Sequence, residues 1–312
     1  MKHYASIQNI SDIHSWIKEA RKIKENPLKD KKLGKHKTLG LLFFNSSLRT
    51  RLSTQKAALN LGMNTIVMNV SEDAWGIEFE NGSIMNGTTA EHIKEAAAVV
   101  SQYCDVIAVR AFPTLKDKEK DEREQVLDAF IKYASVPIIN MESATSHPLQ
   151  GLTDAITIAE NTTKKRPKVV LSWAPHVKAL PHAVANSFVE AMQKMDVDFV
   201  ITNPEEYNLD KRITKNTTII HDQKEAFKNA DFVYAKNWSS YDDYGQIVKT
   251  DLDWMITKEK IGDAKFMHCL PVRRNVVVED AVLDSENSLV IQQANNRTFA
   301  AQLVLKKIVE DL

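Results

Sequence analysis

The stretch TLGLLFFNSSLRTRLSTQKAALNLG, residues 38–62, decides the fold. Residues 38–45 form a short apolar run bounded by polar residues, which reads as a strand buried on both faces. SSLRTRLSTQKAALNLG follows at once and reads as a helix ending at Gly62. A buried strand that runs straight into a helix presents the helix's unpaired N–H groups and the positive end of its dipole at the strand's carboxyl end. Ser47, Arg49, Thr50 and Arg51 crowd that point with hydroxyl and guanidinium donors, the makings of a phosphate cradle. Neither GxxxxGK[ST] nor GxGxxG occurs, so a nucleotide-dependent enzyme lacks its main support.

Outward from this unit the same rhythm continues. NTIVMNV (64–70) reads as a strand, 71–88 as a polar loop, and 89–103 as a helix with Thr89 as its cap. DVIAVRAF is a strand, DEREQVLDAFIKYA (121–134) a helix and VPIINM a strand. SHPLQGLTDAITIAENT reads as one helix, and KKRP resets the chain. A second alternating series runs from KVVLSWA (168–174) through PHAVANSFVEAMQKM, DFVIT, NTTIIHD, KEAFKNA, DFVYAKNW and KFMHCLP. NNRTFAAQLVLKKIVEDL closes the chain as an amphipathic helix. The expected fold is α/β: two domains, each a parallel sheet flanked by helices, hinged near residues 142–166, with the terminal helix packing back on the first domain.

Composition agrees. A chain of 312 residues suggests about two domains. It is 43% apolar and 26% charged, as ordinary globular proteins are. Lys plus Arg number 41 and Asp plus Glu 41, so nothing recommends nucleic acid or an anionic membrane as partner. Cys104 and Cys269 lie far apart, without a CxxC pair, which speaks against a disulfide framework or zinc cluster and for a reducing compartment. The first residues lack a signal-type apolar core, and no run of about 18 apolar residues is present. The expected location is the cytoplasm.

Two further segments carry chemistry. HPLQ, residues 147–150, follows the strand VPIINM and the loop MESATS. His147 can donate to a carbonyl oxygen, and Gln150, one turn on, can bond an amide. In HCLPVRR, residues 268–274, the proline forces an extended turn and leaves carbonyl groups without ladder partners, suited to accept from an amine. A nucleophilic role for Cys269 has no identifiable base to support it.

Taken together, SLRTR, HPLQ and HCLP resemble the aspartate/ornithine carbamoyltransferase family, which carries SxRTR, HPxQ and HCLP in this order over essentially the whole chain. The resemblance implies a first domain, residues 1–145 with the terminal helix 294–312, for carbamoyl phosphate. It assigns residues 146–293 to the amine substrate. It also implies a homotrimer with sites shared between subunits, and no metal or organic cofactor. Carried over, Ser47, Leu48, Arg49 and Thr50 hold the phosphate, and Arg110, His147 and Gln150 surround the carbamoyl group. Arg49, Thr50, Arg110 and His147 are the expected catalytic donors. Cys269 and Leu270 orient the amine through main-chain oxygens.

The acceptor follows from departures. The SMG loop of ornithine members is absent; YAKNWSSYDDYGQ, residues 234–246, stands there, and the PLKPG-like loop of aspartate members is missing too. FFNxSxRTR, Trp75, WAPH with His176 and AKNW with Lys236 are similar to the acylornithine branch, in which Trp75 reaches into a neighbouring subunit's site. Acetyl-type members have a glutamate near the position of Ala90, and a modified lysine in the region of Val277. Alanine neither repels nor crowds a succinyl carboxylate. The expectation is carbamoyl transfer to the δ-amine of succinylated ornithine in arginine biosynthesis, with the acetylated substrate as alternative. Lys236, Arg273 and Arg297 would pair with substrate carboxylates, and Glu142 and His176 would place the ornithine part. A non-catalytic binding relative is the reading from another class; the intact motifs speak against it.

Overall fold

A computed structural model describes residues 1–248 and 252–312. The chain opens with α1 (Ile13–Glu25), then β1 (Thr38–Phe43), α2 (Arg49–Asn60), β2 (Asn64–Asn69), α3 (Val70–Asp73), β3 (Gly76–Glu78), β4 (Thr89–His92), α4 (Ile93–Tyr103) and β5 (Val106–Arg110). α5 (Lys118–Glu122), α6 (Gln125–Tyr133), β6 (Ile138–Glu142) and α7 (Pro148–Glu160) complete the first half. The second half holds β7 (Lys168–Trp173), α8 (Ala183–Met192), β8 (Asp198–Thr202), α9 (Lys211–Thr214), β9 (Thr218–Ile220), α10 (Gln223–Phe227) and β10 (Phe232–Lys236). It ends with α11 (Lys258–Ile261), β11 (Lys265–Met267), α12 (Asp280–Leu283) and α13 (Val290–Val309).

Among the described residues, two large parallel sheets result, ordered β2-β1-β5-β6 and β11-β10-β7-β8-β9, with a two-stranded parallel ladder β3-β4 beside the first. Both large sheets are doubly wound. The strand order reverses between β1 and β5 in one sheet and between β7 and β10 in the other, where crevices open beyond the strands' carboxyl ends. Register places Phe43 opposite Arg110 at the first reversal and Trp173 opposite Lys236 at the second. The alternating faces of the strands separate three apolar clusters. The largest contains Leu39, Leu41, Val106, Val169 and Leu171 with residues of α1, α7 and α13, and so joins the two halves. The others cover the outer face of the first sheet, with Leu42, Ile107 and Val109, and that of the second, with Val170, Val233 and Phe266. α13 packs on α1, α2 and α7, bringing the chain's end back to the first domain as expected. Among the described residues, no helix is long and apolar enough to cross a membrane.

Several details differ from the reading of the sequence. Thr89 is not a cap: residues 89–92 pair with β3, and α4 begins at Ile93, where the His92 side chain accepts from the Lys94 N–H. The expected loop 71–88 contains the end of α3 and all of β3. The helix expected over 121–134 is split at Glu124, whose φ of 48° is left-handed. α13 starts at Val290, so residues 290–293 belong to the helix. α1 was not anticipated, although Ile13, Trp16, Ile17, Ala20 and Ile23 have helical spacing and are buried.

Candidate active site

The two reversals face one another across a cleft of 1380 Å³. Its walls bring together Ser47, Leu48, Arg49, Thr50, Arg110, Glu142, His147, His176, Lys236, Cys269, Leu270, Arg273 and Arg297, all anticipated from the sequence. Gln150, Trp75 and Ala90 do not border it. Gln150 is buried behind the wall, whereas Trp75 and Ala90 lie on the exposed β3–β4 excursion.

α2 begins as an anion site should. Leu48 occupies the cap position, and no side chain caps the helix. The N–H groups of the first turn therefore remain available at the positive end of the dipole. The first turn carries no acid. Arg51 is held aside, stacked on the Phe43 ring at 4.5 Å and bonded to Asn69. Thr50 is buried, and its Oγ1 accepts from Arg297 Nη2 at 2.8 Å. Arg297, expected to meet a substrate carboxylate, thus stands against the cradle. Its Nη1 donates to Gln150 Oε1 at 2.8 Å.

Arg110 ends β5. Its Nε and Nη2 donate to Glu142 Oε2 at 3.2 and 3.0 Å, and Nη1 donates to the carbonyls of Asn45 and Ser46 at 3.1 and 2.5 Å. One guanidinium therefore fixes the β1–α2 turn relative to the end of β6. Asn45 adds a second tie by accepting the Phe112 N–H at 2.6 Å. Burial pushes the Glu142 carboxyl up, opposed by Arg110, Arg297 and Lys236.

His147 precedes α7, and Pro148 occupies the first helical turn, where its missing N–H costs nothing. The His147 N–H donates to Ser187 Oγ at 2.8 Å, and its Nε2 lies 3.5 Å from Glu142 Oε2. Burial, then the nearby Arg297, Arg110 and Lys236, holds the imidazole well below the usual histidine range, so it is neutral at pH 7. The loop that delivers it is pinned by Glu124. That carboxylate accepts from Ser143 Oγ, Thr145 N–H and Thr145 Oγ1 at 2.7, 2.7 and 2.6 Å, and from the Ala144 N–H at 3.1 Å. Glu124 carried no signal in the sequence.

At the third motif, the His268 N–H donates to Gln293 Oε1 at 3.0 Å and the Leu270 N–H to His268 Nδ1 at 2.8 Å. With two of its N–H groups spent inside the protein, the turn has carbonyl oxygens left to offer. Burial pushes the Cys269 thiol up, as befits a group that is not a nucleophile. Of residues 234–246, expected at the place of the SMG loop, Lys236 lines the cleft and residues 239–246 do not. The latter cross to α5 instead, where Tyr241 donates to Glu122 at 2.8 Å and Tyr244 to Asp121 at 3.0 Å.

Among the described residues, six cations (Arg49, Arg51, Arg110, Lys236, Arg273 and Arg297) border this space against two carboxylates, Glu72 and Glu142. The surplus suits a phosphate and a further carboxylate. Donors preset around a helix mouth, next to neutral His147 and carbonyl acceptors, can hold an acyl phosphate while an amine attacks it. Among the described residues, no group of three or more His, Cys, Asp or Glu could hold a metal ion.

The buried imidazoles give a pH prediction. His147 and His268 both titrate well below 6.5 in the folded chain. Between that folded value and 6.5 the unfolded chain holds more protons, so these groups lower stability as pH falls. The raised carboxyls of Glu142 and Glu124 act oppositely, so the informative quantity is a difference between variants. Going from about pH 7 to about pH 5.5, His268→Gln is expected to lose less Tm than the parent. An equal loss in both would contradict the assignment.

Residues 2–160 match the family profile "Aspartate/ornithine carbamoyltransferase, carbamoyl-P binding domain" and residues 181–308 "Aspartate/ornithine carbamoyltransferase, Asp/Orn binding domain". An N-succinylornithine carbamoyltransferase of Bacteroides fragilis (strain 638R) is 49% identical over 317 residues, covering 100% of each chain. An N-acetylornithine carbamoyltransferase of Xanthomonas campestris is 36% identical, covering 99% of this chain and 98% of that one. Among solved structures, a glutamate-to-alanine variant of N-acetyl-L-ornithine transcarbamylase complexed with carbamyl phosphate and N-succinyl-L-norvaline superposes with a TM-score of 0.92. It is 36% identical, covering 99% of this chain and 100% of that one.

Proposed function

Since the chain belongs to the aspartate/ornithine carbamoyltransferase family, we propose that it moves the carbamoyl group of carbamoyl phosphate to the δ-amine of N2-succinyl-L-ornithine, giving N-succinylcitrulline and phosphate. This is a step of arginine biosynthesis. One observation carries the acceptor: the full-length relative at 49% identity is named for succinylornithine, and those named for acetylornithine stand at 36%. Ala90 and Val277, where acetyl-type members carry a glutamate and a modified lysine, support the same choice.

In this reading residues 1–145 and 294–312 bind the donor and residues 146–293 the acceptor. The phosphate sits on the first turn of α2, with Ser47, Leu48, Arg49 and Thr50 around it. Arg110, His147 and Arg297 take the carbamoyl oxygen. Gln150 acts through Arg297, to which it is bonded. The neutral amine, oriented by the Cys269 and Leu270 carbonyls, attacks the carbamoyl carbon; the C–O bond to phosphate breaks, and the proton the amine sheds leaves with the phosphate. Negative charge then grows on the carbonyl oxygen and the leaving group, and the preset donors answer both without a covalent enzyme intermediate. Glu142 and His176 place the ornithine part; Lys236 and Arg273 pair with its carboxylates. Steady-state citrulline formation tests the acceptor. The expected result is a kcat/KM for succinylornithine at least about tenfold above that for acetylornithine; the reverse order rejects it.

We also read the working unit as a homotrimer in the cytoplasm. Leu52 and Leu59, one face of α2, are 58% and 59% exposed, and Ile66 on edge strand β2 is 43% exposed, an apolar strip suited to a second copy. Trp75 is 60% exposed and donates to Glu91 at 2.8 Å, away from its own chain's cleft. The unpaired thiols of Cys104 and Cys269 support a reducing compartment. Co-expressed Trp75→Ala and Arg110→Met subunits are expected to form mixed trimers clearly more active than either variant alone. Activity no greater than their sum would contradict shared sites.

A further inference from the structure

Asp154 lines no part of the cleft and is fully buried, yet it touches the supports of all three motifs. Its Oδ1 accepts from Gln150 Nε2 at 2.6 Å and from Gln293 Nε2 at 2.7 Å. A guanidinium and a backbone N–H can only donate, so each glutamine must turn its Oε1 toward the group it serves and its NH2 toward an acceptor. The Gln150 oxygen meets Arg297, which goes on to Thr50 in the SLRT segment. The Gln293 oxygen meets the His268 N–H at the start of HCLP. Arg297 Nε is buried and has no hydrogen-bond partner among the described residues, although the side chain borders the cleft. A buried donor left without a protein partner is free to serve a bound molecule.

We propose that Asp154 is a positioning residue: by fixing the polarity of two glutamine amides it aims Arg297 at the carbamoyl phosphate and holds the HCLP turn that receives the amine. This rests on the carbamoyl-transfer reading above. Burial pushes the Asp154 carboxyl up to about 7. Both donors to its Oδ1 are neutral amide N–H groups, so the relay needs an acceptor oxygen at this place, and asparagine can supply that oxygen.

The test uses the full-length enzyme with carbamoyl phosphate and N2-succinylornithine. Asp154→Ala is expected to lower kcat at least about 30-fold and raise the KM for carbamoyl phosphate, while Asp154→Asn stays within about fivefold of the parent. Gln293→Ala severs one branch only. It should raise the acceptor KM about tenfold, leave the carbamoyl phosphate KM unchanged, and add little to that acceptor KM on top of Asp154→Ala. A folded Asp154→Ala enzyme with near-parent constants would overturn the proposal. So would a folded Asp154→Asn enzyme whose kcat falls about 30-fold or more, or an unchanged acceptor KM in Gln293→Ala; these last two stand even where Asp154→Ala does not fold. If the parent fails to turn over succinylornithine, the acceptor reading falls and the relay is read from thermal protection by carbamoyl phosphate. Protection lost in Gln150→Leu and kept in Asp154→Asn supports it; equal protection in both overturns it.

Discussion

Arg110→Met is expected to lower kcat/KM for carbamoyl phosphate by about 10³-fold or more, a larger loss than removal of one isolated oxyanion donor brings. The reason lies in what the guanidinium holds. It bonds Glu142 twice and the carbonyls of Asn45 and Ser46, so it shapes the β1–α2 turn as well as bordering the cleft. Without it, a buried carboxylate that desolvation already disfavours loses its nearest counter-charge. Breaking such a pair costs about 3–5 kcal/mol, which thermal unfolding should register as a lowered Tm. Arg110→Lys should not recover activity, because one ammonium cannot serve Glu142 and two carbonyls in the geometry of a planar fork. A citrulline assay showing either variant within about tenfold of the parent would contradict this account.

The second large effect is expected at Ala90. Ala90→Glu should lower kcat/KM for succinylornithine by about 10²-fold or more and leave the value for acetylornithine within about tenfold. A new carboxylate some 4 Å from the succinyl terminus would oppose binding by a few kcal/mol at an effective dielectric of about 20, and acetyl offers it no charge to repel. Ala90 lies beside Glu91, the partner of Trp75, on β4 and away from its own chain's cleft. In the proposed trimer the effect is exerted in a neighbouring subunit's site, as in the mixed-trimer experiment. An unchanged ratio of the two substrates would remove position 90 from the specificity argument.

What the sequence disclosed, and what it did not, follows from the range of the forces involved. The β1–α2 unit was legible because a buried strand and an uncapped helix start are written in adjacent residues. Pro148 likewise marked the start of α7. Most cleft residues were legible because the carboxyl ends of parallel strands lie where α/β topology puts ligands, and the motifs fall there. Trp75 and Ala90 could be named only from the resemblance; they lie outside their own chain's cleft, and the roles proposed for them need a second chain. The bond between Asp154 and Gln293 spans 139 positions, and no local pattern announces it. Asp154 itself stood four residues after Gln150, on the same helical face, and could have been suspected. The break at Glu124 was hidden because its left-handed backbone is sustained by four hydrogen bonds to a loop reached only through the fold. The period of Ile13, Trp16, Ile17, Ala20 and Ile23 does write α1 into the sequence, in a segment without a motif.

An anion seated at the mouth of α2, next to a slot for an acylated diamine, is the centre of the proposed reaction. A crystal structure of the protein with carbamoyl phosphate and N-succinyl-L-norvaline tests this most directly. The phosphate is predicted to accept from the first-turn N–H groups and from Arg49, with the succinyl carboxylate paired to a cation across the cleft. A phosphate bound away from residues 47–50 would contradict it.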